Sequence, residues 1–233
     1  MRYLIIGLGI YGSNLAIDLT NMGHEVIGAD KDPTLVESIK DFISTAYIID
    51  STDEVSLGVL PLKNVDLVIV AIGENFGASI RTVAILKKLG VEHIYARAID
   101  KLHESILQSF CLDRIITPEQ RAAADLVNEM TLGFDCETMR LDGDMMVVRF
   151  SVPKFMDGLK YSELDLEKDY SLKLVAAMRK SRSRNIIGVE HDTFTLIPDA
   201  DTSDERVQDG DRITCLGTQS AFRSLFKRYS QNA

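Results

Sequence analysis

Near the start of the chain, Gly7, Gly9 and Gly12 have the G-x-G-x-x-G spacing of a loop that can hold a pyrophosphate. In such a loop the first glycine permits a tight turn, the second lets the backbone approach the phosphates, and the third lets a helix pack closely on a strand. An apolar run up to Ile6 precedes the loop, and a helical pattern through Ile17, Leu19 and Met22 follows it. The helix would turn unpaired N–H groups and its positive dipole end toward the ligand, with Ile10 and Tyr11 at the variable positions. A second strand, Glu25–Asp30, ends in an acid 18 residues beyond Gly12, where a carboxylate can accept hydrogen bonds from a ribose 2′-hydroxyl. A free carboxylate at Asp30, with Lys31 beside it, disfavours a 2′-phosphate and therefore NADP. The glycines also fit a plain tight turn, and Asp30 also fits a cap ahead of Asp32-Pro33.

Further polar groups recur at strand ends. Asp50, Ser51, Thr52 and Asp53 follow a third strand at Ala46–Ile49. The acids suit either a ligand or an Asx-turn with a helix cap, and Ser51 or Thr52 suits the adenine edge. Ala71, Ile72 and Gly73, followed by Glu74, end the apolar run 66–72, where small side chains would let a nucleotide lie against backbone. Arg97 ends a fifth strand, placed to meet a phosphate or to pair with Asp50 or Asp53. His103 reads as a surface polar residue on the helix that follows.

The elements that would position these groups alternate strictly between strand and helix up to a sixth strand at Arg114–Ile116. Helical patterns fall at Pro33–Ile43, Glu54 to about Leu60, Ala78–Leu89 and Leu102–Phe110, and a connector helix runs over 118–133. The expected fold class is α/β, a Rossmann-like doubly wound parallel sheet with ligands at the carboxyl ends of its strands. Beyond Cys136 the pattern changes to short β-runs, at Cys136–Leu141, Met145–Ser151, Lys173–Arg179, Asn185–Gly188, Thr193–Leu196 and Arg212–Gly217. With helices at Leu159–Leu164 and Ser220–Tyr229, this predicts a small α+β domain over 135–233 after a nucleotide-binding domain over 1–134. Arg179–Arg184 places four cations in six residues, a phosphate patch or a solvated hairpin loop, and the acidic run Asp199–Asp211 reads as surface loop.

Composition narrows the function. A net charge of −9 argues against a nucleic-acid partner. No apolar run approaches the roughly 20 residues of a membrane-spanning helix. Cys111, Cys136 and Cys215 are scattered without metal-ligand spacing and read as reduced packing residues of a cytoplasmic protein.

Taken together, the chain resembles the RCK-type (TrkA/KtrA-like) cytoplasmic regulatory subunits of Trk/Ktr potassium-uptake systems. The resemblance rests on Gly7–Gly12, Asp30, Asp50–Asp53, Val70–Asn75, Ala96–Ala98, His103, Asp113–Glu119 and Gln208–Arg212 with Gly217. It implies an RCK N-terminal domain and an RCK C-terminal domain, NAD(H) or an adenine nucleotide (ATP, ADP or AMP) as ligand, and no enzymatic activity. Further implications are a divalent cation or Na at Glu119 and cyclic di-AMP at the C-terminal domain. The implied partner is a membrane-embedded Trk/Ktr-type potassium channel subunit. The protein would act at the inner face of the membrane as a homodimer assembling into an octameric ring. For Glu119, behind Pro118, ordinary capping of a helix start is the alternative. ATP-responsive relatives carry an arginine in the glycine loop where this chain has Ile10, which leaves ATP, ADP, AMP and NAD open. The competing functions are an NAD-dependent oxidoreductase, for which His191 offers no catalytic context, and a nucleotide-sensing regulator of a different cation transporter.

Overall fold

The structure, a computed structural model, describes residues 1–132, 136–184, 190–202 and 204–231, excluding the side chains of Arg184, His191 and residues 228–231. The chain forms two compact units, 1–121 and 122–233.

In the first unit, β1 (Arg2–Ile6), α1 (Ile10–Asn21), β2 (Glu25–Asp30), α2 (Pro33–Ile39), β3 (Thr45–Ile48), α3 (Glu54–Leu57), β4 (Leu67–Val70), α4 (Phe76–Lys88), β5 (Ile94–Arg97), α5 (Lys101–Gln108) and β6 (Arg114–Ile116) alternate. The helix α6 (Pro118–Leu132) follows, and the division between units falls within it. All six strands run parallel in the order β3-β2-β1-β4-β5-β6. The order reverses between β1 and β4, the switch point beside which open α/β sheets bind ligands.

The strands take this form because each is apolar on both faces. Leu4, Ile6, Val68 and Val70 enter one core cluster, while Ile5, Val26 and Ile69 enter the other, on alternate residues of the same strands. The sheet is therefore buried on both sides and only its edges can present polar groups. The third helix is shorter than its sequence pattern, closing at Gly58 and leaving Val59 exposed, because Pro61 bars its continuation.

In the second unit, β7 (Cys136–Arg140), β8 (Met145–Ser151), α7 (Leu166–Tyr170), β9 (Lys173–Arg184), β10 (Glu190–Ile197), β11 (Arg212–Thr218) and α8 (Gln219–Gln231) build an antiparallel sheet of order β10-β9-β11-β8-β7. Its core holds Phe150, Phe222 and Phe226, with Phe150 edge-on to Phe226 at 5.0 Å between centroids. Among the described residues no helix is long and apolar enough to cross a membrane. None of the three cysteines forms a disulfide, and burial pushes the Cys215 thiol up to about 12.

Three expectations need correcting here. The basic run 179–184 is strand, not hairpin loop, because it pairs with β10 and sets Arg182 opposite Asp192. The run Asn185–Gly188 lies outside the described residues. Leu159–Leu164 forms only a 3-10 turn at Tyr161–Glu163. The acidic stretch ends inside the protein: Asp211 is fully buried.

Asp211 is the polar centre of this unit. Its carboxylate accepts from the Tyr161 hydroxyl at 2.9 Å, Arg179 Nε at 3.0 Å, the Gln208 amide at 2.9 Å and the Lys180 amide at 3.3 Å. Burial and the bond to Asp211 hold the Tyr161 hydroxyl well above its usual range. Strands β9 and β11 and the 3-10 turn thus share one charge. Removing one partner of such a pair strands the others without solvent. Asp211→Ala is expected to destabilise the second unit by about 3–5 kcal/mol in urea unfolding; a loss below about 1 kcal/mol would show the network to be dispensable.

Candidate functional site

At the carboxyl edge of the parallel sheet, each glycine of the first loop has a separate steric reason. Gly7 takes φ +98°, and a Cβ there would sit 2.9 Å from the Ile72 amide nitrogen. At Gly12 a Cβ would drive into the Gly7 carbonyl oxygen, so only glycine lets α1 lie this close to β1. A Cβ on Gly9 would meet nothing within 4 Å. Gly9 is itself the N-cap of α1.

The start of α1 also differs chemically from its neighbours. Asp32, Asp53, Asn75 and Asp100 cap α2, α3, α4 and α5 by accepting from the amides of Thr34, Ser56, Ala78 and His103. The cap of α1 is Gly9, which has no side chain, and its first turn holds no acid. The amides of Ile10, Tyr11 and Gly12 have no side-chain acceptor, and the helix dipole adds positive potential there. An oxyanion at this point would be solvated by backbone alone.

Asp30 holds this loop in place. One carboxylate oxygen accepts from the Leu8 amide at 2.6 Å and the other from the Asp32 amide at 2.9 Å. Each oxygen keeps a lone pair for a ribose hydroxyl. Lys31, next to it, is exposed.

The other candidates divide. Asp50 forms an Asx-turn, accepting from the Thr52 amide at 2.9 Å and hydroxyl at 2.7 Å; these bonds, with Lys31 nearby, hold its carboxyl below the usual range. The Ser51 hydroxyl is buried against Thr82 Oγ1 at 2.9 Å. Ala71 is buried, Ile72 and Gly73 are half-buried at the end of β4, and Glu74 is exposed.

Arg97 is corrected. It pairs with Glu119 rather than with Asp50 or Asp53: Arg97 closes β5, and Glu119 lies in the first turn of α6, just beyond the adjacent β6. The guanidinium carbon lies 5.6 Å from the centroid of the Tyr11 ring. Glu119 is engaged by Arg97 within the chain, and among the described residues no group of three His, Cys, Asp or Glu could hold a metal. In the C-terminal basic run, Arg179 pairs with Asp211 at 3.0 Å and Lys180 with Asp192 at 2.9 Å.

His103, expected on the surface, is fully buried. Its ring lies 4.8 Å from Phe76, Nδ1 is 3.4 Å from the Ile99 amide, and burial lowers its pKa. Its spacing from Leu107, four residues on the same helix face, was the available signal.

The first unit is of the TrkA-N class: the TrkA-N domain family model matches residues 3–118. The chain is 35% identical over 178 residues to Ktr system potassium uptake protein C of Bacillus subtilis (strain 168), covering 76% of this chain and 80% of that protein. It is 27% identical over 230 residues to Ktr system potassium uptake protein A of Vibrio alginolyticus, covering 97% and 96%. The chain belongs to the family of Ktr system potassium uptake proteins, as its RCK-type resemblance implied. Among solved structures, the RCK domain of GsuK matches with TM-score 0.62 at 13% identity, over 98% of this chain and 47% of that one. The GsuK channel bound to NAD matches with TM-score 0.59 at 14% identity, over 95% and 38%. These likenesses establish the RCK fold, a parallel Rossmann-like sheet with a smaller antiparallel domain.

The loop geometry makes a paired expectation. Gly12→Ala should cost about 3 kcal/mol or more by overpacking against backbone. Gly9→Ala should stay within about 1 kcal/mol, the range of an uncapped helix start. Thermal and urea unfolding compare them, and equal losses would contradict the steric assignment.

Proposed function

We propose that the protein is a nonenzymatic regulatory subunit that binds an adenine nucleotide at the β1–α1 loop. Through that ligand it controls a separate membrane-embedded potassium-transport subunit of the Ktr type. The observation that carries this reading is the uncapped start of α1 beneath the open face of Gly9, with Asp30 one strand away. Together these provide for a phosphate and a ribose without supplying a reactive group. NAD⁺ is the first ligand to test, since Ile10 brings no cation for a terminal phosphate and the GsuK structure holds NAD. Kinship with Ktr proteins A and C supports potassium uptake as the process served. The subunit would work at the inner face of the membrane, as homodimers closed into a ring. A ligand can drive such a ring only by binding one arrangement more tightly than the other.

Calorimetric titration of the full chain with AMP, ADP, ATP, NAD⁺ and NADH tests the site. At least one should bind, and Gly9→Val should abolish binding while leaving the thermal midpoint near that of the unsubstituted chain. Absence of binding at millimolar concentrations, or tight binding by the Gly9→Val protein, would refute the assignment.

A further inference from the structure

His103 is a titratable group for which the nucleotide reading has no use. It lies fully buried in the first turn of α5, yet its contacts reach two separate turns of the ligand edge. The ring is 4.8 Å from that of Phe76, which opens α4 directly behind Gly73–Asn75. Nδ1 accepts a long hydrogen bond, 3.4 Å, from the amide of Ile99, in the turn between β5 and α5. These turns follow the carboxyl ends of β4 and β5, which are adjacent strands. One imidazole therefore joins them.

The bond at Nδ1 sets the state of the ring. Because that nitrogen accepts from an amide, the imidazole is neutral and its hydrogen sits on Nε2. Nε2 is buried with no partner among the described residues, as is the Oγ of Ser79, one turn beyond Phe76 on α4. A second proton would bring two faults. Nδ1 would turn a donor onto the Ile99 N–H, and a cation would lie where burial leaves it unsolvated. Phe76 from α4 and the Ile99 amide from the preceding turn bring no charge to the ring. Asp100, the cap of the same helix, favours the cation, but burial outweighs it and lowers the pKa. The released ring therefore takes up a proton before the docked one does. Above about pH 6.5 the joint is neutral and closed, and each pH unit below that favours the released, charged ring about tenfold until the docked ring itself titrates.

We propose that His103 is a positioning residue for the ligand edge: its neutral ring joins the turn after β4 to the turn after β5, and its protonation separates them and weakens nucleotide binding. This rests on the nucleotide reading above and adds acidity as a second input to the same site. By linkage, a ligand that needs both turns in place holds the ring neutral.

Calorimetry of the full chain with NAD⁺ and AMP, at about pH 7.5 and about pH 5.5, tests this on either side of the ordinary histidine value. The unsubstituted protein is compared with His103→Asn, which keeps an acceptor near the place of Nδ1 but cannot gain a proton. On acidification the unsubstituted chain should lose about threefold to tenfold in affinity beyond any loss shown by His103→Asn. Comparing the two proteins ligand by ligand cancels titration of the AMP phosphate. NMR titration of the histidine rings needs no variant, and serves if His103→Asn fails to fold. Of the four histidines, His103 should titrate lowest in the free chain, with His93 held above the ordinary value by its bond to Asp113. Saturating NAD⁺ or AMP should move His103 further down. Equal pH dependence in the two proteins, or a His103 pKa unchanged by ligand, would overturn the inference while nucleotide binding stands. Absence of binding by both ligands at the higher pH would overturn both.

Discussion

The distance between α1 and β1 is the constraint on which the site depends. It is set at Gly12, where any side chain would strike the carbonyl of Gly7, and at Gly7, whose left-handed turn passes beside Ile72. This contact brings the start of α1 to the point where the sheet reverses direction. A helix start held there without a capping side chain leaves positive potential and unpaired amides at the ligand edge. The four following helices are capped by their own Asp or Asn, so among the starts of α1 to α5 that of α1 alone lacks a side-chain cap. Asp30 then fixes the loop through the Leu8 amide and faces the sugar side.

Around that start the first unit arranges replaceable interactions, whereas the second unit is organised on a permanent one. The Arg97–Glu119 pair has an exposed carboxylate, so it can open without leaving a buried charge. The Asp211 network cannot, since its carboxylate is fully buried with donors from Tyr161, Arg179, Gln208 and Lys180. One cluster is a solvent-facing pair and the other a structural centre.

Much of this was legible in the sequence because it is local. The glycine spacing, the acid ending the second strand and the apolar runs depend on residues close in the chain, and their period fixes which side chains share a face. What was missed depends on neighbours brought together by the sheet. Arg97 meets Glu119 only because β5 and β6 are adjacent, and Ser51 turns inward because Thr82, on α4, offers a hydroxyl. Asp211 looked like surface from its acidic neighbours, yet Arg179, 32 residues earlier, draws it inside. His103 was hidden by its residue type, although its position on α5 was that of a core residue. The charge of the run 179–184 suggests a phosphate patch or a hairpin loop, while its strand character comes from partners on β10.

The central claim is that a nucleotide phosphate occupies the uncapped first turn of α1. Amide hydrogen–deuterium exchange of the full chain, with and without saturating NAD⁺, measures this directly. Peptides containing Ile10–Gly12 should exchange rapidly in the free protein and become protected with ligand, because those amides then gain acceptors. Unchanged exchange across residues 8–13, with protection confined to the second unit, would contradict the account.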